Sequence, residues 1–304
     1  MAEQMTAERR LDGKVALVAG ATRGAGRAIA RALGAAGATV YCTGRSVRGN
    51  PSEIGRRETI DETAELINAD GGKAIAVRVD HTQEDEVIAL FERLRAEQNG
   101  RLDILVNDVW GGENWVEFKP FWETSVQNGL KMFQTGLFTH LITARYGAPL
   151  MLERGQGLII EITDGDLPDY RGMLYYDLVK SGVIRHTLGL SEELRPHGIT
   201  AVALTPGFLR SEQMLDHFGV TEANWRDVIA REPYFAESET PFFIGQAVVA
   251  LASDPNVSAK SGKALATWWL AEEYAFDDYD GRRPHWRRFF EARQAEEKAA
   301  MGDT

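Results

Sequence analysis

Lys14-Val-Ala-Leu-Val-Ala-Gly20-Ala-Thr-Arg23-Gly24-Ala-Gly26-Arg-Ala-Ile-Ala-Arg-Ala-Leu33 reads as a buried strand, a glycine turn and a helix. Val15 to Ala19 is a short apolar run, the pattern of a strand covered on both faces. Gly20, Gly24 and Gly26 follow at once. Ile29 and Leu33 then fall one helical turn apart among Ala and Arg. This order suits a pyrophosphate: glycine lets the backbone come close, and free N–H groups at the helix start face the anion. The spacing is G-x-x-x-G-x-G rather than the commoner G-x-G-x-x-G. A tight turn before an Ala-rich helix is the bland alternative.

Further along, strand and helix patterns alternate without a linker. Gly37 to Ser46 reads as a second strand ending in Thr43-Gly44-Arg45-Ser46. In a dinucleotide fold an acid at that end would hold the ribose 2′-hydroxyl of NAD. No acid stands there. Arg45, together with Arg23 in the glycine turn, favours a 2′-phosphate and hence NADP(H) over NAD(H). A third strand, Lys73 to Asp80, places Asp80 where it could cap a turn or touch an adenine. Helix 83–98 and a fourth strand ending at Asn107 follow. The aromatic stretch 108–123 leaves the carboxyl end of that strand and could pack the core or wall an apolar pocket. A long helical region to about 153, a fifth strand 156–163 and a helix opening at Tyr175-Tyr176 come next. Tyr176 and Lys180 are four apart and share one helix face. An ammonium beside a phenol lowers its pKa and makes an acid/base that can protonate an alkoxide. A sixth strand, 197–204, precedes Thr205-Pro206-Gly207. Residues 208–240 show no clear period and read as a mobile lid. Helix 242–253, a last strand 264–270 and a charged tail from Gly281 complete the chain. Asp277, Asp278 and Asp280 read as a solvated turn rather than a metal site.

The 304 residues are 44% hydrophobic and 26% charged, ordinary for one large soluble core. A net charge of -11 argues against nucleic acid. No apolar run approaches a membrane span. The N-terminal ten residues are polar and read as a frayed lead-in. Cys42 is the single cysteine, which excludes an internal disulfide and fits a reducing, cytoplasmic setting.

Gly20-x-x-x-Gly24-x-Gly26, Asn107, Tyr176-x-x-x-Lys180 and Pro206-Gly207, in this order and at these separations, resemble the short-chain dehydrogenase/reductase family over about residues 11–270. Val40 to Arg45, Tyr146 to Ile159 and Ser261 to Ala271 are similar to the subgroup of dehydrogenase/reductase SDR family member 1. The resemblance implies a single α/β domain with a Rossmann-type doubly wound parallel sheet, a substrate lid at 208–240 and a helical extension at 281–304. It implies hydride transfer between a nicotinamide and a carbonyl/alcohol pair of a small molecule, with Tyr176 as acid/base and Lys180 at the nicotinamide ribose. Gly20, Thr22, Arg23, Gly24, Ala25, Gly26, Arg45, Ser46, Asp80, His81 and Asn107 would line the adenosine and pyrophosphate. Pro206, Gly207 and Ser211 would embrace the nicotinamide. A homodimer or homotetramer pairing helices 121–153 and 174–195 is expected.

Three positions depart from the family. Thr163 stands at the spacing of its catalytic Ser, with Asp164 next, and Thr163 can donate the same hydrogen bond. The relay Asn matches Gly136, with Gln134 nearby. The Asn-Asn-Ala-Gly pattern is Asn107-Asp108-Val109-Trp110. A non-catalytic NADP(H)-binding sensor or partner is the competing reading.

Overall fold

A computed structural model describes residues 9–52 and 54–302. The expected lead-in lies outside them except for Arg9 and Arg10. The elements run β1 (Val15–Ala19), α1 (Gly24–Ala35), β2 (Thr39–Gly44), α2 (Ile60–Ala69), β3 (Lys73–Arg78), α3 (Glu84–Glu97) and β4 (Ile104–Asn107). Then come α4 (Val126–Phe133), α5 (Thr139–Leu152), β5 (Gly157–Ile162), α6 (Leu174–Leu194), β6 (Ile199–Thr205) and α7 (Glu212–Phe218). Helix α8 (Pro241–Ser253), β7 (Ala264–Ala266), α9 (Thr267–Tyr274) and α10 (Trp286–Gly302) close the chain. The sheet has seven strands, all parallel, in the order β3-β2-β1-β4-β5-β6-β7.

Both faces are covered, and the alternation of β1 shows how. Ala16 and Val18 join Ile29, Leu33, Ile244 and Val248 on the side of α1 and α8. Val15, Leu17 and Ala19 join Leu90, Phe91, Leu94 and Leu150 on the side of α3 and α5. Every residue of β1 is buried, and each large one contributes about 1.5–3 kcal/mol of apolar burial. The strand order reverses between β1 and β4, so the chain opens a crevice at their carboxyl ends.

Four local expectations are corrected. The apolar run 264–270 is strand only to Ala266; Thr267 opens α9, whose buried Trp268 and Ala271 lie three apart. A short apolar run reads alike for a buried strand and a buried helix. The long helical region is interrupted: α4 starts at a Ser125 cap, and a π turn over 134–138 joins it to α5. Residues 208–240 are short helices on a small core of their own, Trp225, Val228 and Phe235 with Phe208 and Phe218. Arg210 is buried beneath that core and bonds Ser238, Glu222 and Asp280 while stacking on Trp225. The acidic turn is solvated only in part: Asp277 and Asp280 are exposed residues. Asp278 is buried and accepts the Thr240 N–H at 2.7 Å, and Asp280 pairs with Arg210 and Arg282.

Candidate active site

The glycine turn is a place where side chains do not fit. Gly20 has φ +91°, and a Cβ there would lie 2.5 Å from the Asp108 carbonyl oxygen. A Cβ at Gly26 would meet the Gly20 carbonyl oxygen at 2.3 Å. The turn and the β4 loop therefore touch backbone to backbone. Above them lies a crevice of about 370 Å³ lined by Gly20, Thr22, Arg23, Gly24 and Ala25 from the turn. Arg45, Ser46, Asp80, His81 and Ser211 line it as well. Gly26, Asn107, Thr163, Tyr176, Lys180, Pro206 and Gly207 lie off its wall.

Several of these side chains already have partners. Arg23 lies 3.5 Å from Glu113. Asp80 accepts from the N–H and hydroxyl of Thr82, which makes it a turn-former. His81 bridges the hydroxyls of Thr43 and Thr143, and burial lowers its pKa to about 4, so it is a neutral structural ring. Asn107 donates to the buried Glu161 carboxylate at 2.8 Å. The Gly24 N–H, where an anion is expected, donates to Glu212 at 2.9 Å. That N–H has one proton, so an anion taking it displaces Glu212. Asp108, at the turn, accepts from the Gly26 N–H, and burial pushes its carboxyl up to about 7. Gly207 donates its N–H to the buried Glu239, whose carboxyl burial raises to about 8. Ser211 caps α7.

The catalytic candidates gather on α6. The Tyr176 phenol donates to Asp164 Oδ2 at 2.9 Å. Thr163 is buried, and its hydroxyl donates to the Lys180 carbonyl at 2.8 Å. The group that meets the phenol is therefore Asp164, while Thr163 ties β5 to the helix that carries the pair. Lys180 is buried, with its ammonium 4.5 Å over the Trp110 ring and 5.7 Å from the Tyr176 ring. Burial lowers the lysine's pKa, and Asp164, Asp108 and Glu113 oppose that. The expected depression of the phenol pKa is corrected here. Burial, then the Asp164 charge and hydrogen bond, hold Tyr176 well above its usual value, and Arg171 offsets this only in part.

Trp110 accounts for two departures together. A Cβ at Gly136 would lie 2.7 Å from the indole carbons and 2.9 Å from Val179. The indole fills the space an Asn at 136 would need, and it packs edge-on against Tyr176 at 5.4 Å. Gly136 sits in the π turn, a distortion often found at functional sites. Trp110, Trp115, Val116, Met132, Met173 and Tyr175 make an apolar wall beside the phenol. His140 spans from Glu161 at 2.6 Å to the Val109 carbonyl at 3.1 Å and so fixes the loop carrying Trp110. Its signal in the sequence was an acid, Glu161, inside an otherwise apolar strand.

A seven-stranded parallel sheet with a glycine turn at its switch point is a Rossmann-type fold, and comparison makes the class specific. The short chain dehydrogenase family profile matches residues 14–218. Human dehydrogenase/reductase SDR family member 1 is 37% identical over 276 residues, covering 90% of this chain and 85% of that protein. The 7α-hydroxysteroid dehydrogenase complexed with NADH and 7-oxo glycochenodeoxycholic acid superposes with a TM-score of 0.69 at 26% identity, covering 85% of this chain and 94% of that one. A variant of actinorhodin polyketide ketoreductase with NADPH gives 0.67 at 26%, covering 83% and 95%. The chain belongs to the short-chain dehydrogenase/reductase family of oxidoreductases, and within it is similar to the subgroup of SDR family member 1.

Proposed function

We propose that this protein is an NADP(H)-dependent carbonyl reductase for an apolar or aromatic small molecule, with Tyr176 as the general acid. The observation that carries it is the Tyr176–Lys180 pair on one face of α6, beside an apolar wall and the glycine-turn crevice. The residues present fit the dinucleotide. Gly20, Thr22, Gly24 and Ala25 of the turn line the crevice, and Arg23, Arg45 and Ser46 stand at its wall. Gly20 to Gly26 would hold the pyrophosphate, Arg45 and Ser46 the 2′-phosphate, Asp80 the adenine edge, and Lys180, Pro206, Gly207 and Ser211 the nicotinamide end. When bound, the nicotinamide supplies or accepts the hydride.

The chain's own residues do the rest. Tyr176, kept protonated by burial and Asp164, has the proton an alkoxide needs. Lys180 sets positive charge below the phenol, and Thr163 anchors the Lys180 turn. NADPH oxidation against a panel of apolar ketones and quinones tests the reading. Tight NADPH binding with no turnover on any of them would instead favour the non-catalytic reading. That reading draws on Gly136 in the relay position and on a Thr163 proton already engaged.

Arg45 and the missing acid on β2 support a preference for NADPH. Arg45→Asp should erase it, by about 1–3 kcal/mol of differential binding. Equal wild-type affinities for NADPH and NADH in a titration would end that claim. We also propose a homodimer or homotetramer in a reducing, cytoplasmic setting. Val126, Leu130, Phe138 and Leu141 expose a continuous apolar face on α4 and α5, and Leu178 is exposed on α6. Light scattering at micromolar concentration should give at least twice the chain mass, and a monomer would contradict it.

A further inference from the structure

The tail from Gly281 folds back on its own chain. Trp286 packs against Gly207, where a Cβ would lie 2.9 Å from the Trp286 Cβ, and meets Phe208 edge-on at 5.8 Å. Arg287 follows it at the start of α10. Its guanidinium donates to Asp166 at 2.6 Å and to Asp169 at 2.7 Å. The Asp166 prong is largely closed to water, with Arg287 13% and Asp166 9% exposed, while Asp169 is 53% exposed. A two-pronged charge-assisted contact of this kind fixes geometry as well as adding energy.

Asp166 and Asp169 belong to the loop between β5 and α6. The body of the protein holds that loop through Gly165 N–H to the Thr205 hydroxyl, Arg171 N–H to Asp177 and the Tyr176 phenol to Asp164. Between those points, Arg287 supplies the hydrogen bonds that the Asp166 and Asp169 side chains accept. The loop carries two charged groups that act on the phenol, Asp164 and Arg171. Asp164 accepts the Tyr176 proton, and Arg171 lies 3.9 Å from Asp164 with its guanidinium against Gly165.

We propose that Arg287 is a positioning residue for the reaction: by gripping Asp166 and Asp169 it holds the 164–171 loop so that Asp164 and Arg171 stay against the Tyr176 phenol. The proposal rests on Tyr176 as the proton donor. It gives the C-terminal extension a part in the site: α10 holds the loop that carries Asp164 and Arg171.

The test uses Arg287→Ala and Arg287→Lys in the full chain, with two readouts. The first is a 13Cζ-tyrosine NMR titration, the Tyr176 line being assigned by its loss in Tyr176→Phe. The charged groups facing the phenol are Asp164, Arg171 and Lys180. If Arg287→Ala releases Asp164, the line should titrate about one pH unit or more below wild type. Arg287→Lys, which keeps one charged contact and loses the fork, should lie between. The second readout is steady-state reduction. There kcat should fall at least ~10-fold, short of the ~10²–10⁴-fold that loss of the general acid itself would cost, while NADPH affinity stays within about two-fold. An unmoved Tyr176 titration in Arg287→Ala overturns the proposal. So does a loss of kcat matched by an equal loss of NADPH affinity. A wild-type protein that reduces no carbonyl overturns the proposed function instead, and the titration still decides the role of Arg287.

Discussion

Tyr176→Phe should lower carbonyl reduction by roughly 10²–10⁴-fold, the span that general acid catalysis supplies. NADPH affinity should change little. The substitution removes one oxygen from a ring that is already packed edge-on against Trp110, so the wall keeps its shape. The lost hydrogen bond runs to Asp164, which is partly exposed and keeps Arg171 nearby, so little stability should follow it. The same geometry fixes the pH dependence. An acid works while it is protonated, and the folded phenol is held well above its ordinary 10 by burial and Asp164. The wild-type kcat for reduction should therefore show no alkaline fall from this group below pH 10. A Tyr176→Phe protein that retains more than a tenth of wild-type kcat would remove the phenol from the chemistry.

Much of this molecule was legible in the chain because its signals are local. The run Val15–Ala19, the glycine turn and the pair at 176 and 180 each depend on near neighbours, and the sheet order follows from parallel strand–helix repeats. The three departures were visible as letters, but their meaning was not. That Trp110 fills the space above Gly136 is a contact across 26 positions, and no periodicity reports it. The phenol pKa went the other way for a related reason. Helical spacing places Lys180 near Tyr176, but it says nothing of Asp164 arriving from the β5 loop or of how deeply the ring is buried. A surface charge is the common fate of an arginine, and nothing local in the sequence marks Arg210 or Arg287 as different. Each is instead an anchor between segments far apart in the chain. The segment 208–240 lacked a helical period because its core is made of single aromatics from several short turns. That irregular packing is why no period shows there.

Lys180→Met should do more damage than any other single change in the site, and its pH dependence distinguishes the cause. The lysine's own burial is unfavourable, as its lowered pKa shows, and Met recovers that cost. What remains is the charge left behind. Asp164, Asp108 and Glu113 all act on this ammonium, and Asp108 is buried with its carboxyl already at about 7. Removing one partner of a buried ionic group typically destabilises by about 3–5 kcal/mol, which for a chain this size is roughly 6–20 °C in Tm. The sign of the pH effect follows from Asp108. Burial raises its folded pKa above the ordinary 3.8, so stability is fully present below about 4 and falls as pH rises through the folded value. Lys180 opposes that rise, so without it the folded value climbs further and the loss with pH is larger. The Tm deficit of Lys180→Met from this group should therefore stay small up to about pH 7, where Asp108 is still protonated in both folded proteins, and widen from there to pH 9. Turnover and NADPH affinity should fall together, because the lysine serves both the phenol and the nicotinamide end. Lys180→Arg should recover part of the stability but little of the turnover, since a guanidinium can stack over Trp110 but is bulkier and spreads its charge, and does not give the phenol the compact ammonium's point charge. A Lys180→Met protein whose melting follows wild type across that whole pH range would show that these acids do not depend on the ammonium.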